Sequence, residues 1–193
     1  MQTLTRKDLM SLERYAEERP AFRARVMAHK RDRQVAIGAH ATLYFEDRLT
    51  IQYQIQEMLR IEKIFEADGI EEELKAYNPL IPDGHNWKAT FMLEYEDVAE
   101  RQAALSRLSG VATRVYVRVG DGPRVYAVAD EDMGRESKDK TSSVHFLRFD
   151  LGPGLVAAAR GAAAIACGID HPAYQGETVL TEAKRAALLA DLA

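Results

Sequence analysis

The stretch QVAIGAHATLYFEDRLTIQYQIQEMLRIEKIFE, residues 34–66, decides the fold, because its hydrophobic period changes once and stays changed. Val35 and Ile37, then Leu43 and Phe45, alternate with other residues about a turn at Gly38–Ala41, which predicts a β-hairpin. From Asp47 onward the apolar residues recur at helical spacing. Ile51, Ile55, Met58 and Phe65 fall on one arc, flanked by Leu59 and Ile61, and predict a long helix over 47–66 ended by Gly69. A hairpin joined directly to a long helix, without strict strand–helix–strand alternation, predicts an α+β fold: an antiparallel or mixed sheet of hairpins with helices packed on it.

The flanking segments extend this pattern. Towards the N-terminus, Thr5 caps a first helix that Pro20 ends, and Phe22, Val26 and His29 share a stripe on a second. Towards the C-terminus come a short acidic helix (70–77), a proline-rich loop (78–84) and a strand at 88–95. A helix ending at Gly110 follows, then strands at 113–119 and 124–129 about the turn GlyAspGlyPro (120–123). Residues 130–141 read as an exposed polar loop, and 142–150 as a strand. A small helix near 153–160, a strand near 163–169, a turn at 170–174 and a last helix capped by Thr181 complete the chain. With 193 residues and no linker or internal repeat, 1–193 is expected to be one domain.

Composition narrows the class. The single cysteine, Cys167, rules out a disulfide within the chain. No apolar run approaches the ~20 residues that span a bilayer. The first residues lack the apolar core of a signal peptide, so a cytoplasmic location with no membrane association is expected. The net charge of −4 argues against nucleic acid as a partner. That charge is unevenly spread: residues 1–35 hold nine Lys/Arg and five Asp/Glu, a balance of +4, and residues 46–100 hold five and fourteen, a balance of −9. Complementary surfaces meeting within one fold or across a homodimer are the plain expectation. An acidic face that attracts a cation or a basic partner is the sharper one.

Candidate chemistry rests on few residues. Glu62 projects among the apolar positions of the 47–66 helix, where a carboxylate is costly unless paired, protonated or metal-bound. Glu57 lies on the opposite face, one turn from Tyr53, and Glu46 precedes the helix. His145 alternates with Leu147 and Phe149 on a strand's inward side, and His171 lies in a turn before Pro172. Glu46, Glu57, Glu62, His145 and His171 are therefore the candidate ligands for iron or another divalent metal, or the acid–base groups of an enzyme. They would have to converge from distant segments, since no local metal motif occurs. No phosphate-binding loop, dinucleotide fingerprint or nucleophile elbow is present. The second signal is a strand face carrying Arg114, Tyr116, Arg118, Arg124 and Tyr126, residue types enriched at partner and anion-binding surfaces.

Several segments together resemble the bacterial domain-of-unknown-function 3501 family. They are LYFEDR with LTIQYQIQEMLRIE (43–62), YNPLIPDG (77–84), ATFMLE (89–94), VHFLRF (144–149) and GIDHPAY (168–174). The resemblance covers nearly the whole chain and assigns no catalytic residue. What it implies is a setting beside rubrerythrin and an iron–sulfur subunit similar to those of heterodisulfide reductases. The expected role is an accessory, partner-binding component of a redox or oxidative-stress module; a metal- or carboxylate-centred enzyme is the alternative.

Overall fold

A computed structural model describes residues 3–129, 141–161 and 163–193. They form two antiparallel sheets and six α-helices, the α+β arrangement expected. The expected loop at 130–141 lies outside the described residues except for Thr141.

The first sheet has the order β1 (Gln34–Ile37), β2 (Ala41–Phe45), β3 (Asn86–Leu93), β7 (Val144–Asp150), β6 (Val128–Ala129). The second has the order β5 (Val125–Tyr126), β4 (Val115–Val119), β8 (Ile165–His171), β9 (Tyr174–Val179). Cross-strand partners share a face, so register sorts the side chains. The pairs Leu43↔Phe91, Ala89↔Leu147 and Trp87↔Phe149 bury one face of the first sheet. Val115↔Ile169, Val117↔Cys167 and Val119↔Ile165 bury one face of the second. These residues form a single apolar cluster, to which Ala104 and Leu108, Val156 and Ala159, and Leu188 are added by α4 (Val98–Arg107), α5 (Pro153–Arg160) and α6 (Glu182–Leu189) with their flanks.

The outward face of the first sheet meets a helical layer of α1 (Leu12–Arg31), α2 (Arg48–Glu62) and α3 (Ala67–Tyr77), which carries two smaller apolar clusters. Among the described residues no helix is long and apolar enough to cross a membrane.

Five sequence expectations need correction. Pro20 does not end a helix: α1 is continuous, capped by Ser11, and Thr5 caps only a one-turn 3-10 segment. An interior proline loses a hydrogen bond and crowds the preceding turn, at ~3 kcal/mol. Both sides of Pro20 are nevertheless anchored, since Tyr15, Phe22 and Val26 pack with Tyr53 of α2. The long helix stops at Lys63, in left-handed conformation at φ 57°, and Gly69 belongs to the first turn of α3. The strand expected at 124–129 is divided. Val125–Tyr126 pairs with β4, whereas Val128–Ala129 crosses to pair with β7 in the other sheet. Arg114 lies in a 3-10 turn before β4 rather than on its face. Finally, β9 was not anticipated. Its YQGETV sequence lacks a strong apolar alternation, and it is held by six partner pairs with β8, so that His171 ends a strand.

Candidate functional site

The β2–α2 junction places two neighbouring acids. Phe45 ends β2 facing the core, and Asp47 caps α2 by accepting the Thr50 amide at 2.9 Å. Glu46, between them, turns to the outward side of the first sheet. Its Oε1 accepts the Thr90 hydroxyl at 2.7 Å and its Oε2 the Thr50 hydroxyl at 2.5 Å. It is 9% exposed and forms no ion pair among the described residues.

Glu46 lines a groove of about 430 Å³ between the helical layer and the sheet. The sheet contributes Tyr44, Thr90, Met92, Val144 and Phe146; Met27 and Lys30 come from α1, Ile51 and Gln54 from α2, and Tyr77 and Leu80 from the segment after it. Lys30 directs its ammonium towards the Tyr53 ring, 6.0 Å from the centroid. The groove is thus mainly apolar, with a few polar groups and one carboxylate, the usual make-up of a ligand or partner cleft.

Asp47 points the other way, into a buried charge cluster. Its Oδ2 meets His29 Nε2 at 2.5 Å and Arg33 Nη1 at 3.5 Å. Arg33, 2% exposed, donates to the carbonyls of Phe45 at 3.0 Å, Ala187 at 2.9 Å and Glu46 at 3.0 Å, and pairs with Asp191. All three guanidinium nitrogens have partners, so Arg33 ties the C-terminal helix to the first hairpin. Burial would raise the Asp47 carboxyl, but Arg33, the Thr50 amide and His29 outweigh it and hold the group below its ordinary value. At Asp191 burial wins, and the carboxyl is pushed up to about 6 although Arg33 opposes the shift.

The other expected ligands lie elsewhere. Glu57 is taken up by α1: its carboxylate accepts Arg19 Nε and Nη2, both at 2.8 Å, and Tyr15 Oη at 2.6 Å. The Arg19 bonds, against burial, hold its pKa at about 2. Glu62 is exposed in the last turn of α2, not among the apolar residues. The reason is that the helix ends one residue later, so Phe65 never completes the arc that the full 47–66 helix would have presented. His145 is buried, with Nε2 3.0 Å from the Ser142 carbonyl and 2.8 Å from Thr141 Oγ1. It pairs in register with Phe91 and so faces the core, whereas Glu46, held by Thr90, is on the opposite face of the same sheet. His171 uses both ring nitrogens: Nε2 donates to the Ser109 carbonyl at 3.0 Å, and Nδ1 accepts the Ala173 amide at 3.1 Å. The five do not converge. Among the described residues no group of three His, Cys, Asp or Glu is placed to hold a metal ion, and the donors expected for one do not fit it.

The Arg/Tyr face does exist, on the outer side of the second sheet, but much of it is matched within the chain. Tyr116 Oη donates to Glu177 at 3.0 Å, and Arg118 pairs with the same carboxylate. Arg124 donates to Asp170 at 3.0 Å, as Tyr126 does, and lies 4.4 Å over the Tyr116 ring. Cys167 is wholly buried beneath this sheet, where burial pushes its thiol up to about 12, which excludes a thiolate near neutrality.

Sequence reasoning found Glu46 but not Arg33, Asp191 or Thr90, which complete the two sites. Arg33 and Asp191 stand 158 positions apart, and no local pattern links them.

Comparison with known proteins agrees with this fold. The family model described as "Protein of unknown function (DUF3501)" matches residues 3–192. A crystal structure of a novel protein of unknown function from Burkholderia pseudomallei K96243 is 51% identical, with all of both chains covered and a TM-score of 0.94. No curated protein matches the chain. With nearly its whole length matched, the chain belongs to the DUF3501 family of proteins of unknown function.

Proposed function

We propose that this chain acts by binding: it is an accessory, partner-binding component whose working surface is the groove between the helical layer and the first sheet. The occupant is an apolar segment of a partner protein that carries a lysine or arginine to Glu46. The observation that carries this reading is the Glu46 carboxylate, about nine-tenths buried in an apolar groove and held by two neutral hydroxyls. A buried carboxylate without a cation is expensive, and an incoming ammonium or guanidinium that also keeps the hydroxyl bonds lowers that cost. Met27 and Met92 give the walls a deformable lining suited to a protein segment. The redox setting, with rubrerythrin or the iron–sulfur subunit as the partner, comes from the family resemblance. The alternative of a metal- or carboxylate-centred enzyme gains no support from Glu57 or His171, whose polar atoms are already engaged.

The test is calorimetric titration of rubrerythrin, and separately of the iron–sulfur subunit, into the purified chain and into Glu46→Gln and Met92→Arg variants. Binding by the wild type that weakens in both variants is expected. Binding of neither protein, or equal binding by all three chains, overturns the proposal. Elemental analysis of chelator-free protein covers the alternative: near-stoichiometric iron, manganese or zinc, lost in Glu46→Gln, would replace the binding role with the metal-centred one.

A further inference from the structure

Glu46 shares the outward face of the first sheet with a second carboxylate that has no cation. Thr42, Tyr44 and Glu46 alternate along β2 and its exit, and Thr90, Met92 and Glu94 along β3 and its exit, with Thr42↔Met92 and Tyr44↔Thr90 as partners. Glu94 therefore stands on that face at the end away from Glu46. It lies just outside the groove lining but is bonded to it. Its Oε1 accepts the hydroxyl of Tyr44, a lining residue, at 3.1 Å, and its Oε2 accepts the Thr42 hydroxyl at 2.7 Å. Burial, and then the Glu94 charge, push the Tyr44 phenol above its ordinary value, so it stays a donor. Neither Glu46 nor Glu94 forms an ion pair among the described residues; neutral hydroxyls hold both. The cationic side chains nearby are directed elsewhere: Lys30 to the Tyr53 ring, Lys88 to the Pro79 carbonyl, and His40 onto the Tyr95 ring.

We infer that the two carboxylates are read together: the partner segment carries two basic side chains, one for Glu46 and one for Glu94, with an apolar residue between them that covers Tyr44 and Met92. The inference rests on the groove as the working surface and adds the charge pattern of its occupant. Charge complementarity selects that pattern. Two anions without an internal cation, at the ends of an apolar strip, repel an acidic segment and give a purely apolar one nothing to offset them. The spacing selects the rest. Thr42 and Thr90, which hold the two acids on the sheet, stand one strand and two residues apart, a diagonal of ~8 Å for strands ~4.8 Å apart that rise ~3.4 Å per residue. That is the reach of two to three residues of extended chain. The two contacts are unequal. Glu46 is about nine-tenths buried, so its charge-assisted bond is the stronger. Glu94 is exposed, where an ion pair contributes little affinity and chiefly fixes register.

Fluorescence anisotropy with two labelled peptides and the full chain tests this. Both peptides have the same apolar residues; one carries a single lysine, the other a second lysine three positions on. The two-lysine peptide is expected to bind about two- to fivefold more tightly at low salt, an advantage that Glu94→Gln removes and added salt reduces. Glu94→Gln should leave the single-lysine peptide unaffected, whereas Glu46→Gln should weaken both about tenfold. Glu94 is exposed and the replacing amide still accepts a hydroxyl, so Glu94→Gln should melt as the wild type does. Equal binding of the two peptides, or two-lysine binding indifferent to Glu94→Gln, overturns the inference and leaves the groove reading in place. Binding of neither peptide, or indifference of both to Glu46→Gln, overturns the groove reading and the inference with it. If a linear diamine of eight carbons binds as tightly as the two-lysine peptide, the ammoniums belong to a free polyamine, and the partner segment is overturned.

Discussion

Glu46 and Asp47 are adjacent in the chain and send their carboxylates to opposite sides of the β2–α2 junction: Glu46 to two threonine hydroxyls in the groove, Asp47 to His29 and Arg33 in a closed cluster. The helix start imposes the divergence, because Asp47 must fold back on the Thr50 amide to cap α2. One of the two acids is therefore engaged in capping the helix, and the other lines the groove.

Replacing Glu46 separates these roles. Glu46→Ala removes the acceptor of the Thr50 and Thr90 hydroxyls and should cost about 1–3 kcal/mol in urea unfolding. Glu46→Gln keeps one carbonyl acceptor and should cost less, while, on the binding role proposed above, weakening attachment of a cationic partner segment. Equal stability of Glu46→Ala and wild type would show that the two hydroxyl bonds contribute nothing.

The paired acids Asp191 and Glu57 should give opposite pH dependences. The folded Asp191 carboxyl sits near 6, above the ~3.9 of an unfolded aspartate. Between those values the folded state holds more protons, so this group's contribution falls as pH rises from about 4 to 6. At about 1.4 kcal/mol per tenfold change in proton affinity, the loss is at most about 3 kcal/mol. The stability of Asp191→Asn relative to wild type should accordingly improve across that window, whatever its absolute offset. Glu57 is depressed to about 2, so its contribution is present above the unfolded value near 4.3 and is lost as pH falls towards 2. Glu57→Gln should be most harmful at neutral pH and nearly harmless in acid. Denaturant midpoints at several pH values check both slopes, and parallel curves for mutant and wild type would refute them.

On the second sheet, Tyr116 lies flat across Gly168, its cross-strand partner, and a Cβ there would sit 2.3 Å from the tyrosine Cζ. Gly168→Ala must displace the ring, its bond to Glu177 and the Arg124 stack, and should cost about 1–3 kcal/mol. In a Tyr116→Ala background the obstacle is gone, and the same change should be close to neutral. A double-mutant cycle measures the coupling; simple additivity would contradict the contact.

What was legible in the sequence follows from the range of the forces involved. The 34–45 hairpin, the start of α2 at Asp47 and the cap at Thr181 each depend on neighbours within a few positions, and each is found where expected. The end of α2 differs because Ile64 and Phe65 continue a helical pattern that the tertiary structure uses otherwise, one residue half-buried in the apolar cluster that α3 shares and the other outside. Strand β9 was missed because its burial comes from β8 and the β1 edge rather than from its own apolar content: Thr178 and Tyr174 reach the carbonyls of Ala36 and Ile37. Of the site, Glu46 is legible in the sequence, whereas Glu62 falls among the apolar positions only if the helix runs on to 66; with the helix ending at Glu62 the carboxylate lies exposed in the last turn, the other position the sequence allows it.

Pro20 offers the last test, since here the local signal was strong and the structure overrode it. The residue is exposed, nine positions into α1. Pro20→Ala restores a backbone N–H facing the Ala16 carbonyl and relieves the ring's crowding of that turn, a gain of up to ~3 kcal/mol. Against it stands the extra freedom of the unfolded chain, about 0.4–1 kcal/mol. A net stabilisation of about 1–2 kcal/mol in denaturant unfolding is expected, with helical circular dichroism unchanged or slightly increased. A destabilised Pro20→Ala would mean that the fixed proline backbone helps lay Tyr15 and Phe22 against Tyr53, and that the continuity of α1 across residue 20 is a product of packing alone.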